Sequence, residues 1–183
     1  MDTPVIRCPW GDTQDELMRS YHDTQWGKPC HDERMLFEML TLEGAQAGLS
    51  WSTILHKREG YVQAFDQFDV VKIAEYDESK IEALLQNPGI VRNRLKVRSV
   101  VTNAQAVLRL GSLSEFLWAY VDGVPIMNQW HTQEEMPVST PLSDRISKDM
   151  KKLGFKFVGS TIIYSYLQAI GMINDHLCDC SFK

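Results

Sequence analysis

The chain has 183 residues, of which 44% are hydrophobic and 23% charged; this is the balance of a globular protein and excludes disorder, collagen-like repeats and a disulfide miniprotein. Its 19 basic and 24 acidic residues give a formal net charge of -5, which as an average argues against a strong nucleic-acid binder. Five Trp, six Tyr and seven Phe exceed what a small core needs, so some of them should line a pocket.

The length fits one domain over residues 1–183, built as two helical lobes sharing a core. Residues 1–7 lack the basic-then-apolar order of a signal peptide, and residues 159–173 are too short and too polar to span a bilayer. A cytoplasmic location is therefore expected. Cys8 and Trp10 precede the first predicted helix, 15–21, and Tyr21 and His22 lie at its end. The second helix, 33–47, opens on Asp32 as N-cap, with Gly44 as its expected stop. Its apolar face carries Leu36, Met39, Leu40 and Ala47, and Glu43 falls on that same face. Two readings stand side by side: a partly solvated glutamate at a helix end, or a carboxylate directed into a polar cavity, since burying an isolated charge is costly. Trp51 follows closely, before a helix over 52–65. A carboxylate beside flat aromatic faces suits a purine, held by stacking and by hydrogen bonds to its edge.

Helices over 79–86 and 92–110 flank Asn87-Pro88-Gly89-Ile90-Val91, a tight turn. From Ala83 to Ser114 there is no acidic residue, whereas Arg92, Arg94, Lys96, Arg98 and Arg109 bring five positive charges. The acidic average therefore hides a basic segment. It reads equally as a helix-hairpin-helix clamp, whose second helix offers first-turn N–H groups to a phosphate, or as an ordinary helical hairpin with a solvated basic face. Helices over 114–120, 143–153 and 160–170 complete the pattern, with a surface loop expected over 128–137. Ser79, Ser114 and Ser143 are the expected N-caps, and Gly111, Gly154 and Gly171 the expected stops. The fold class is all-α.

The tail reads His176-Leu177-Cys178-Asp179-Cys180. Cys8, His22, His176 and Cys180 would close a structural Zn²⁺ site and clamp the two chain ends together. The competing reading is four unrelated free cysteines among scattered histidines, because the spacing matches no compact zinc finger. No P-C-x-x-C pair is present, which sets zinc deaminases aside.

Tyr21-His22-Asp23 with Trp26-Gly27, the block from Leu42 to Trp51, and Gly154-Phe155-Lys156-Phe157-Val158-Gly159 with Asn174-Asp175-His176 closely resemble the bacterial DNA-3-methyladenine glycosylase I family. The resemblance runs from about Cys8 to Cys180. It implies a helix-hairpin-helix glycosylase fold, the hairpin at about 79–110, with one structural Zn²⁺ per chain on Cys8, His22, His176 and Cys180. It implies hydrolysis of the N-glycosidic bond of 3-methyladenine in alkylated double-stranded DNA, releasing the free base and leaving an abasic site; nothing in the sequence suggests more than a monomer. By the same resemblance Glu43 meets the amino edge of the flipped base, Trp51 stacks on it, and Tyr21 and Trp10 complete the pocket. Gly48 and Leu49 fill the gap left in the duplex, and Gly89, Ile90, Val91, Arg92 and Arg94 grip the backbone. Three departures are visible: Val91 stands where many superfamily hairpins have a second glycine, no Asp occurs between Glu78 and Tyr120, and Met18 replaces a common pocket tyrosine. The missing Asp agrees with the family and has a chemical reason, since N3-methylation makes the base cationic and already a good leaving group. The alternative is a zinc-containing binder that senses alkylated DNA without cutting it.

Overall fold

The computed structural model describes residues 4–183; residues 1–3, the start of the stretch read for a signal peptide, lie outside it. Among the described residues α1 (Glu16–Thr24), α2 (Glu33–Ala45), α3 (Trp51–Ala64), α4 (Val70–Ala74), α5 (Glu78–Leu84), α6 (Arg94–Leu110), α7 (Leu113–Trp118), α8 (Pro141–Lys152) and α9 (Ser160–Ala169) follow in order. Two short strands, β1 (Ile126–Met127) and β2 (Ile173–Asn174), pair in parallel. They tie the segment after α7 to the chain's tail, a small departure from the all-α expectation. None of the helices is long and apolar enough to cross a membrane.

Most helices begin where a short polar side chain accepts first-turn N–H groups, as Asp15, Asp32, Asp69 and Asn93 do. The expected caps at Ser79, Ser114 and Ser143 are corrected to Asp77, Ser112 and Thr140, each two or three residues earlier. Ser143 instead returns its hydroxyl to the amide of Thr140, completing a capping box. Ser114 gives its amide to Glu33, whose carboxylate also accepts from Ser112 and Leu113 across the helix interface. The predicted α6 start at 92 moves to Arg94, because Asn93 is the cap. Helix α4 had no expectation: five residues do not show a 3.6-residue period.

Helix α2 is the axis of the molecule. Every residue from Leu36 to Ala45 is buried, and α3, α6, α7 and α9 pack around it. Gly44 does not stop this helix but lies within it, facing Phe157, whereas Gly111, Gly154 and Gly171 end helices with positive φ as expected. Glu38 and Glu43 are both buried in α2 and meet opposite fates. Glu38 accepts from Arg58 Nε at 2.6 Å and Arg34 Nη1 at 3.1 Å, so its charge is matched and α2 is fixed against α3.

The α5–α6 hairpin is seated on α3 through a glycine that the motif does not contain. A Cβ on Gly60 would stand 2.3 Å from the carbonyl oxygen of Gly89, so only hydrogen lets α3 approach the turn backbone. Lys57 donates to Pro88 O, and Tyr61 accepts from the amide of Val91. Gly60→Ala should push the turn away and destabilise the protein by about 1–3 kcal/mol, read as a lower urea midpoint with an unchanged slope.

Candidate active site and cysteine–histidine cluster

A cavity of about 280 Å³ opens where α1, α2, α3 and α9 meet. Trp10, Tyr21, Trp26 and Trp51 form its aromatic walls, and Glu43 and Met18 line it with them. Gln46, Gln133, Met136, Ser165 and Gln168 close the rest. The structure thus brings Glu43, Trp51, Tyr21 and Trp10 to one pocket. Ring centroids lie 5.2 Å apart for Tyr21 and Trp51, and 4.9 Å apart for Trp10 and Trp26.

Glu43 is 5% exposed, which overturns the reading of it as a solvated helix-end residue. No cation or donor offsets its burial, which pushes the carboxyl up to about 8. Two neighbouring donors are also buried without partners, the indole Nε1 of Trp51 and the hydroxyl of Tyr21. Burial holds Tyr21 well above the ordinary phenol range, so its hydroxyl keeps its proton. Three unspent polar groups in one aromatic cage are what a flat heterocycle with a polar edge would satisfy.

Residues 128–137 were expected as a surface loop, yet their anchoring is internal. Asp175 is fully buried and accepts from Asn128 Nδ2, Trp130 Nε1 and Gln168 Nε2, each at 2.7 Å, and from the hydroxyl of Tyr164. That carboxylate fastens the loop to α9 and so places Gln133 and Met136 opposite Glu43. Sequence spacing carried no signal for these pocket residues, because they are joined only through the fold.

The linker between α2 and α3 holds Gly48, at φ +78°, and Leu49, which is 41% exposed. In the hairpin, the amides of Gly89, Ile90 and Val91 are bonded within the protein. The unspent donors lie slightly further on, at the first-turn amides of Arg94 and Leu95. The basic character of the segment is largely answered from α5. Arg94 pairs with Glu82 at 2.5 Å and Arg98 with Glu78 at 2.7 Å, whereas Arg92 is exposed and has no ion pair among the described residues.

Behind the pocket, Cys8, His22, His176 and Cys180 are all buried, with their ligand atoms within 4.8 Å of one another; the four could hold a metal ion. Cys180 Sγ lies 3.3 Å from His176 Nδ1 and 3.7 Å from His22 Nε2. The outward nitrogens are engaged, His22 Nδ1 with Asp23 Oδ1 at 2.8 Å and His176 Nε2 with the carbonyl of Trp26 at 2.9 Å. Those acceptors fix the tautomers so that both inward lone pairs converge, the second-sphere pattern of metal-binding histidines. Arg7 holds Asp23 in turn. All four cysteines are free thiols.

These features define a helical protein with an aromatic, carboxylate-based cage for a flat heterocycle. Residues 10–183 match the family described as methyladenine glycosylase. DNA-3-methyladenine glycosylase 1 of Escherichia coli is 48% identical over 178 residues, covering 95% of each chain. The Haemophilus influenzae DNA-3-methyladenine glycosylase is 44% identical, covering 98% of each chain. A crystal structure of 3-methyladenine DNA glycosylase I superposes with TM-score 0.94 at 49% identity, covering 96% of this chain and 98% of the other. A variant of such an enzyme in complex with 3-methyladenine gives 0.93 at 39% identity, with 97% of each chain covered. The chain belongs to the methyladenine glycosylase family.

Proposed function

We propose that this protein is a DNA repair glycosylase that hydrolyses the N-glycosidic bond of 3-methyladenine in alkylated double-stranded DNA, releasing the base and leaving an abasic site. The observation that carries this reading is the uncompensated carboxylate of Glu43 in an aromatic cage. A methylated adenine still attached to its sugar is cationic. It would supply the missing countercharge, stack on Trp51, and offer an acceptor to the unpartnered hydroxyl of Tyr21. Neutral adenine brings no such charge, and a damaged base is cheaper to unstack, so selectivity has two sources. The lesion is already a good leaving group, which accounts for the lack of an Asp after the hairpin. Water attacks the oxocarbenium-like sugar, with DNA phosphates stabilising its charge.

Leu49 at the exposed tip of the linker fills the gap in the duplex, and Gly48 gives that tip its left-handed turn. The hairpin from Gly89 to Arg94 grips the backbone, with the first-turn amides and Arg92 as phosphate donors. Pocket, hairpin and cysteine–histidine cluster are complete within one chain, which supports a single glycosylase domain acting as a monomer on cytoplasmic DNA. Cys8, His22, His176 and Cys180 would hold one Zn²⁺; two thiolates and two imidazoles suit zinc, and bound there it would serve structure rather than the reaction.

A non-catalytic binder would leave alkylated DNA intact. Incubation with methylated duplex should release 3-methyladenine and create alkali-labile sites. Retention on that DNA with neither product would overturn the enzyme reading.

A further inference from the structure

We propose that Lys96 is a positioning residue that locks the linker between Glu43 and Trp51 onto the hairpin, so that the grip on DNA and the base pocket form one rigid unit. This rests on the glycosylase reading above. Lys96 lies in the first turn of α6, immediately after the free amides of Arg94 and Leu95. Its ammonium does not face solvent for a phosphate. It donates to the carbonyl of Ala45 at 2.9 Å and to that of Ala47 at 2.6 Å. Ala45 is the last residue of α2, so its carbonyl lacks an intrahelical partner, and α2 has no basic residue in its own last turn. Lys96 brings a cation to that negative helix end from another element.

The neighbouring cations behave differently. Arg94 and Arg98 pair with carboxylates of α5, while Lys96 makes no ion pair among the described residues and spends its charge on backbone oxygens. Those oxygens bracket the segment that matters. Glu43 lies two residues before Ala45, and Trp51 four residues after Ala47. Within the linker, nothing stands within 4 Å of a Cβ built on Gly48, and Leu49 is held by its amide bond to Gln46 O. Among the described residues, Lys96 supplies the side-chain bonds to the carbonyls of this stretch. Partial burial draws its pKa down.

Lys96→Met keeps the stem and removes the donors. Four readouts separate the roles. Amide exchange at residues 46–50 should accelerate in the free protein, since the linker loses its outside tether. Single-turnover excision at saturating enzyme should fall by roughly 10- to 100-fold, the scale of a small misplacement of reacting groups. Affinity for free 3-methyladenine should stay within about twofold of wild type, because Glu43 and the aromatic walls are unchanged and only Gln46 of the lining lies in the loosened linker. The salt dependence of DNA affinity should keep its slope, whereas loss of a phosphate contact lowers it by about one. Lys96→Arg, which can still reach both carbonyls, should restore most of the excision rate. A reduced salt slope, unchanged linker exchange, full excision by Lys96→Met, or a parallel loss of free-base affinity would each overturn the proposal. Failure of the wild type to excise would strike the glycosylase reading instead, and linker exchange would still decide the role of Lys96.

Discussion

Glu43→Gln should lower excision of 3-methyladenine by roughly 10²–10³-fold, the usual consequence of removing a preorganised charge from a water-poor site. It should also weaken binding of the cationic base while leaving DNA affinity nearly unchanged. The amide keeps the shape and the acceptor oxygen, so the loss reports charge. Because burial sets the carboxyl at about 8 in the empty pocket, Glu43 is largely protonated at neutral pH and ionises as the cation enters. Wild-type kcat/KM on methylated DNA should therefore rise with pH and level off above about 8, and the variant should lack that rise. Stability runs the other way. The folded chain retains a proton that the unfolded chain loses above the ordinary value of 4.5, so this contribution is full below that pH and withdrawn as pH climbs to about 8. Glu43→Gln should then unfold at higher denaturant than wild type at pH 8.5, and at nearly the same concentration at pH 4. Full excision by the variant, or identical stability profiles, would remove the carboxylate from the site's chemistry.

Local periodicity set Glu43 on an apolar helix face without deciding between a solvated and a buried carboxylate. The family resemblance, not spacing, joined it to Trp51, Tyr21 and Trp10. The residues on the opposite wall had no comparable signal. Ser165 and Gln168 come from α9, and a buried four-donor bond network on Asp175 ties the loop carrying Gln133 and Met136 to that helix; neither spacing nor composition encodes such a convergence. The same limit explains the missed contact of Gly60 with the hairpin, where the signal is a backbone approach between distant segments. The helix caps failed for a local reason. Asp77 and Ser79, or Ser112 and Ser114, are equally able oxygens two residues apart, and the tertiary position of the first turn chooses between them. The charge argument needed the fold as well: the acid-free run from Ala83 to Ser114 is real, but Glu78 and Glu82 reach over from α5 to neutralise two of its arginines. What stays unpaired is a small set, Arg92 with the first-turn amides of α6, which is the set proposed above to meet DNA, and not a broad basic face.

If the four residues hold the proposed zinc, removing it should cost both stability and base recognition, because the cluster lies directly behind the pocket wall. Trp10 meets the ring of His22 edge-on at 4.9 Å, and Trp26 meets His176 at 4.7 Å, so two cage walls rest on the two histidines. Cys8 and Cys180 draw in the chain ends, where Ser181 and Ile6 exchange two further hydrogen bonds. Stripping the ion leaves two buried thiols and two converging lone pairs without their shared partner, and frees the terminal segments to fray. Most of the core around α2 lies away from the cluster's four residues, so the apoprotein should stay folded yet melt roughly 10 °C lower, the shift expected for a loss of several kcal/mol in a chain of this size. Its affinity for free 3-methyladenine should fall by about tenfold as Trp10 and Trp26 lose their backing, a 1.4 kcal/mol loosening. Cys180→Ala should reproduce both effects without chelator and bind less than one zinc per chain by elemental analysis. Zinc added back should restore the wild type and not the variant. Unchanged zinc content in Cys180→Ala would take that thiol out of the site. An apoprotein with the melting point and base affinity of the metal-loaded form would show that the four residues are packing neighbours rather than ligands.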